Sequence, residues 1–175
     1  MSLTIWLTGL PGAGKTTLAR GVFDRLKRNG TPSCLLDGDE MRKGLSGDLG
    51  YSAGDRRENI RRVAEVARVI NQSGIVAIVA FISPYRCDRE MARSIIGPGR
   101  YHEIYVSTSL EVCERRDPKG LYAKARAGLI EQFTGVSAPY EHPLSDATSV
   151  DTEFESLESG VDTILACINS RRAAR

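Results

Sequence analysis

Apolar residues along the chain follow two alternating periods, and that alternation predicts the fold. Leu3-Thr-Ile-Trp-Leu-Thr8 has the length and composition of a buried strand, and Leu18, Ala19, Val22, Phe23 and Leu26 then recur at helical spacing. This helix begins near Lys15 and is stopped by Asn29-Gly30 and Pro32. Ser33-Cys-Leu-Leu36 is a short strand that ends in Asp37-Gly-Asp39, and either aspartate suits the N-cap of a helix over Glu40 to Leu45. A long helix runs from about Arg56 to Asn71, with Ser52 and Asp55 as alternative caps. Its apolar stripe is Ile60, Val63, Ala64, Ala67 and Ile70. Arg56 falls on that stripe one turn earlier and Asn59 at its edge, so both polar groups point toward the protein. Arg57, Glu58 and Arg62 lie on the opposite, solvated half, where Glu58 and Arg62 form an i,i+4 pair.

Gly74 to Ile82 is almost wholly apolar and β-branched, as a central parallel strand buried on both faces requires. A helix over Asp88 to Ile96, a strand over Glu103 to Ser107 and a helix from Leu110 to Asp117-Pro118 follow. Thr148 to Thr152 reads as a last short strand. Leu157, Val161, Ile164, Leu165 and Ile168 space a C-terminal helix, from which Arg171 to Arg175 fray. Five strands alternating with helices predict a three-layer α/β/α fold with a mainly parallel five-stranded sheet. Between Lys119 and Pro143 the pattern weakens, and this stretch of about 119–143 is expected to form a mobile lid. Arg115, Arg116, Lys119, Lys124 and Arg126 are its candidate phosphate-neutralising cations, with a plain surface role as the alternative for each.

The overall numbers narrow the picture. With 175 residues, 41% hydrophobic and 26% charged, the chain suits a single domain over 1–175. A net charge of +2 with mixed signs gives no indication of nucleic-acid binding. Cys34, Cys87, Cys113 and Cys167 are too widely spaced for a zinc ribbon or a redox pair, so reduced thiols in the cytoplasm are expected. No export signal is read at the N-terminus, and no apolar run is long enough to anchor the chain in a membrane.

The chemistry begins at Gly9-Leu-Pro-Gly-Ala-Gly-Lys-Thr-Thr17, which fits G-x-x-x-x-G-K-[ST] and sits between the first strand and first helix. Gly9, Gly12, Ala13 and Gly14 would turn backbone N–H groups toward a phosphate at a helix N-terminus. Lys15 would reach the β- and γ-phosphates and Thr16 the Mg²⁺ ion, while Thr17 helps to start the helix. A purine nucleotide triphosphate and Mg²⁺ are the implied cofactors of a P-loop NTPase fold. The central strand ends in Phe81-Ile82-Ser83-Pro84 without an aspartate, so the metal-side carboxylate must come from Asp37-Gly-Asp39. Asp39 is the better placed on the strand edge, and Asp37 joins Thr16 as a candidate metal ligand.

Taken together, GLPGAGKTT, LLDGDEMRKGL, DLGYSAGDRRENIRR, AFISPYR, CERRDPKGLYAKARAG and FTGVSAPYE resemble the adenylyl-sulfate kinase family from about Thr4 to Thr152. The resemblance implies transfer of the ATP γ-phosphate to the 3′-hydroxyl of adenosine 5′-phosphosulfate, and a homodimer. It implies that Asp39, Arg42, Arg56 and Asn59 contact that substrate, with Ile82 and Ser83 beside it and Lys119 and Phe133 coming from the lid. Tyr51 stands where the family commonly stacks a phenylalanine on the substrate adenine. Lys15, Asp39 and Ser83 are then the candidate catalytic residues. Asp39 either accepts the hydroxyl proton or orders the water around the metal; Ser83 is either a phosphoserine position or a substrate-contacting hydroxyl. A kinase for a nucleoside monophosphate or a sugar acid is one alternative, and a non-catalytic module that binds the phosphosulfate product is another.

Overall fold

The computed structural model describes residues 2–144 and 147–173. Strand β1 (Thr4–Thr8) is buried along its whole length and lies at the centre of a parallel sheet. Its neighbours are β3 (Val76–Ala80) and β4 (Tyr101–Val106), with β2 (Ser33–Asp37) and β5 (Thr148–Val150) at the edges, in the order β2-β3-β1-β4-β5. Every pairing is parallel. Successive side chains of β1 face opposite ways and divide the core in two. Ile5 and Leu7 join Leu18 and Val22 of α1 (Lys15–Arg28) and Val161 and Ile164 of α7 (Leu157–Ala173) on one face. Trp6 joins Ile60, Val63 and Ala67 of α3 (Ala53–Gln72) and Ala92 and Ile96 of α4 (Arg86–Ile96) on the other. Helices α1 and α7 approach closely at glycines: a Cβ on Gly21 would lie 2.7 Å from Val161, and one on Gly160 2.8 Å from Leu18.

Local chemistry settles the alternatives at helix starts. Asp37 caps α2 (Gly38–Lys43) by accepting the Asp39 N–H at 3.0 Å, which leaves the Asp39 side chain free for other work. Ser52 caps α3 by accepting the Asp55 N–H at 3.1 Å. The buried stripe of α3 ends on Asn71 where Ile70 was expected to close it. The Asn71 amide donates to the carbonyls of Leu3 and Ile75 and accepts from Thr4, so a polar side chain is satisfied inside the core. Arg57 is more than a solvated cation, because its guanidinium lies 3.6 Å from the buried Asp88 carboxylate on α4. The Glu58–Arg62 pair forms as expected, at 3.0 Å.

Strand β3 is shorter than its apolar run: the chain leaves the sheet after Ala80, and Ser83 takes a left-handed φ of 46° before Pro84. Helix α7 continues to Ala173 instead of releasing the chain at Arg171, and Ala174 and Arg175 lie outside the described residues. Helices α5 (Leu110–Arg116) and α6 (Leu121–Arg126) follow β4. The weakly patterned segment is tied down at both ends. Tyr122 donates to the Pro11 carbonyl at 3.0 Å, and the Glu141 N–H donates to the Pro84 carbonyl at 2.8 Å. None of the four cysteines is in a disulfide, and among the described residues no helix is long and apolar enough to cross a membrane.

Candidate active site

The C-terminal ends of β1, β2 and β3 open into one cavity of about 730 Å³, the edge at which parallel sheets hold ligands. At one end stands the glycine-rich loop, and Gly12, Gly14, Lys15, Thr16 and Thr17 line the wall. Gly9 and Ala13 form the buried back of the loop. Lys15 is folded into it, its Nζ donating to the carbonyls of Gly9 at 2.9 Å and Leu10 at 2.6 Å. Burial pushes this ammonium down to about 8, against the pull of the nearby Cys113, Asp37 and Asp39. An incoming phosphate offers Lys15 better acceptors than two neutral carbonyls.

Thr16 donates to Asp37 Oδ2 at 2.7 Å, so the buried Asp37, and not Asp39, is the carboxylate beside the loop hydroxyl. Among the described residues no three His, Cys, Asp or Glu side chains cluster as a metal cage. Mg²⁺ needs no such cage, because it keeps several waters and takes one or two protein oxygens beside phosphate. Thr16 and Asp37 fit that requirement. Asp39 is instead paired with Lys119, which reaches across the cavity from the segment after α5.

The opposite end is made of side chains. Arg42 stacks on Tyr51 with its guanidinium carbon 4.4 Å from the ring centre, and Arg56 approaches the same ring at 5.6 Å. Arg42 donates to the carbonyls of Leu49 and Gly50, and Arg56 to those of Tyr51 and Gln132. Asn59 lines the wall, is 3% exposed, and its Oδ1 has no hydrogen-bond partner among the described residues. Ile82 and Ser83 close the floor. Ser83 Oγ accepts from the Trp6 indole N–H at 3.0 Å, and its carbonyl accepts from the buried Arg89 at 2.8 Å. Phe133 does not reach the cavity; it is buried edge-on against Tyr122, ring centres 5.0 Å apart.

Pattern reading missed several residues. Arg20, one turn beyond Thr16, lines the cavity and carried no motif. Nothing in the spacing of the helix singles out Arg89, yet it also pairs with Glu103 at 2.7 Å and donates to the Glu141 carbonyl. Thr108 and Thr152 approach the back of the loop, a juxtaposition that only the strand register reveals.

A parallel sheet with a glycine-rich loop between its central strand and first helix, facing a second arginine-lined pole, defines a P-loop kinase. A sugar kinase from Janibacter shares this fold at a TM-score of 0.66 and 18% identity, over 97% of this chain and 95% of its own. Residues 1–151 match the profile of the adenylylsulphate kinase family, and the chain belongs to that family. It is 50% identical to the adenylyl-sulfate kinase of Geotalea daltonii over 169 residues, 97% of this chain and 83% of the relative. It is 49% identical to the probable adenylyl-sulfate kinase of Bacillus subtilis over 170 residues, 97% and 85% of the two chains. The Mycobacterium tuberculosis APS kinase, solved in complex with AMPPNP and APS, superimposes at a TM-score of 0.93 with 39% identity over 96% of this chain and 98% of its own.

Proposed function

We propose that this enzyme transfers the γ-phosphoryl group of ATP to the 3′-hydroxyl of adenosine 5′-phosphosulfate, in the cytoplasm and with Mg²⁺. The observation that carries the reading is the single cavity with two unlike poles: a phosphate cup at Lys15 and Thr16, and a guanidinium pair with a stacking ring at Arg42, Arg56 and Tyr51. The cup, with Gly9, Gly12, Ala13, Gly14 and Thr17, takes the triphosphate, and Lys15 leaves its loop carbonyls to bridge the phosphate oxygens. Mg²⁺ held by Thr16 and Asp37 would spread charge over the same oxygens. At the acceptor end Tyr51 stacks on the adenine, and Arg42 and Arg56 pair with the phosphosulfate oxygens in the forked geometry that suits such anions. The unpartnered Asn59 Oδ1 is free to accept from a substrate N–H or O–H.

In-line transfer asks Asp39 to orient the 3′-hydroxyl and take its proton late, so Lys119 must give up that carboxylate and turn to phosphate charge as the acceptor arrives. Ser83 serves as a substrate-side hydroxyl. A nucleophile needs an adjacent base, whereas the Trp6 N–H already engages this oxygen. Residues 119–143 act as the lid of a single domain over 1–175, closing through Lys119 and bringing Phe133 toward the acceptor. Assembly as a homodimer belongs to the same proposal, and ultracentrifugation should give about twice the 19.1 kDa chain mass.

The deciding experiment incubates the protein with Mg²⁺, ATP and a panel of acceptors. ADP and 3′-phosphoadenylyl sulfate should form together only when adenylyl-sulfate is present. Preferential phosphorylation of AMP or gluconate would replace the acceptor assignment, and binding of adenylyl-sulfate without transfer would make the protein a sensor.

A further inference from the structure

Parallel strands stay in register to their ends, and here that register continues past the sheet. Val106 of β4 pairs with Val150 of β5. Two residues further along each strand stand Thr108 and Thr152, whose hydroxyl oxygens lie 2.8 Å apart. Both reach one acceptor, the carbonyl oxygen of Ala13, at 3.2 Å from Thr108 and 2.9 Å from Thr152. The Thr152 N–H donates to Thr108 Oγ1 at 3.2 Å. Arg116 donates to Thr152 Oγ1 at 2.7 Å and to the Thr152 carbonyl at 2.8 Å.

Each hydroxyl has one proton to give, and the shorter contact to the Ala13 carbonyl, 2.9 Å against 3.2 Å, makes Thr152 its donor. Thr152 Oγ1 accepts from Arg116 and gives its proton to Ala13. Thr108 Oγ1 accepts from the Thr152 amide and gives its proton to Thr152 Oγ1. No donor is left over. The result is a short chain of hydrogen bonds that begins on a cation and ends on one carbonyl of the glycine-rich loop, and a charged donor makes such bonds stronger.

That carbonyl matters because a trans peptide is planar, with its C=O and N–H pointing in opposite directions. Holding the Ala13 oxygen outward therefore turns the Gly14 N–H toward the cavity. Ala13 is fully buried while Gly14 lines the wall. Gly14 has a φ of 99°, and glycine adopts several other backbone conformations at little cost, so this peptide needs an external hold. Thr152 is packed directly beneath it: a Cβ on Gly14 would lie 3.1 Å from the Thr152 methyl.

We infer that Thr108 and Thr152 are positioning residues whose paired hydroxyls lock the Ala13–Gly14 peptide, keeping the Gly14 amide aimed at the donor phosphates, with Arg116 joining the lock to the base of the lid. The inference rests on the donor-end reading above and deepens it: nucleotide affinity depends on two side chains that do not line the cavity.

Thr152→Val keeps the shape of the side chain and removes its hydroxyl; Thr108→Val does the same one step further from Ala13. Calorimetric titration with a non-hydrolysable ATP analogue and Mg²⁺, together with steady-state kinetics, reads the effect. Thr152→Val should weaken analogue binding about 5- to 20-fold and raise KM for ATP to match, and Thr108→Val about 3-fold. KM for adenylyl-sulfate should stay within about twofold in both, and Thr152→Ser should recover nearly all of the loss. A merely structural role lowers the amount of active protein, hence the apparent kcat, and leaves analogue affinity per folded molecule unchanged. Unchanged analogue affinity in both valine variants overturns the inference. Wild-type protein that binds the analogue but never phosphorylates adenylyl-sulfate would sink the functional proposal and leave this one standing.

Discussion

The two poles of the cavity are made from different materials. At the donor pole the ligand-facing groups are mostly backbone, the cation is buried, and Thr8 anchors the loop by donating to the Ile82 carbonyl at 2.7 Å. At the acceptor pole they are side chains on two loops and two helices, Tyr51 is 61% exposed, and Arg42 and Arg56 hold the loops by their carbonyls. A pole of amides is fixed by the fold before any ligand arrives, so its affinity depends on what locks the backbone. A pole of guanidinium groups is held by bonds that a ligand can compete for, so it can reorganise on binding and its selectivity can be changed residue by residue.

Mutations can break or sharpen this contrast. Lys15→Ala should have the largest effect, a loss of about 10³-fold in kcat with the folded structure intact, because transition-state charge loses its buried cation. Asp39→Asn should lower kcat by about 10²-fold and change KM for either substrate little if Asp39 handles the hydroxyl proton. Near-normal turnover in that variant would remove Asp39 from the chemistry. Arg56→Ala should raise KM for adenylyl-sulfate about 10- to 30-fold and leave KM for ATP within about twofold. An equal rise in both would mean that the poles are not independent.

A pH profile tests the buried cation without mutation. In the free enzyme Lys15 is an ammonium below about 8 and a neutral amine above it, so kcat/KM for ATP should be flat below that pH and fall about tenfold per unit above it. The acceptor pole has arginines and should contribute no such break. The smallest effect is expected for Tyr51→Phe, within about twofold in every constant, since stacking needs the ring and the hydroxyl is dispensable.

The donor pole was legible in the sequence because a backbone site has a motif: glycines, a lysine and a threonine at fixed spacing after a strand. The sheet was legible too, since strands buried on both faces read as unbroken apolar runs. Asn59 was correctly turned inward by helical period alone. What stayed hidden depends on contacts between distant residues. Nothing in the spacing of Thr108 and Thr152 says that they meet, or that Arg89 links the Ser83 turn to β4 and the Glu141 segment. Asn71 deceived the pattern because an amide with three partners can be as buried as an isoleucine. The choice between Asp37 and Asp39 required a cap to be seen, for once Asp37 accepts the Asp39 amide it also faces Thr16, and Asp39 is left for Lys119.

The indole of Trp6, the only tryptophan in the chain, is wholly shielded from solvent and gives its N–H to Ser83 on the cavity floor. The enzyme thus contains its own optical probe. A ligand that engages the Ser83 hydroxyl changes the polarity at the indole nitrogen, and hence the colour and intensity of its emission, whereas one confined to the phosphate cup leaves that bond alone. Unlabelled protein in a fluorimeter should therefore distinguish filling of the acceptor pole from filling of the donor pole, and give the order in which the two substrates bind.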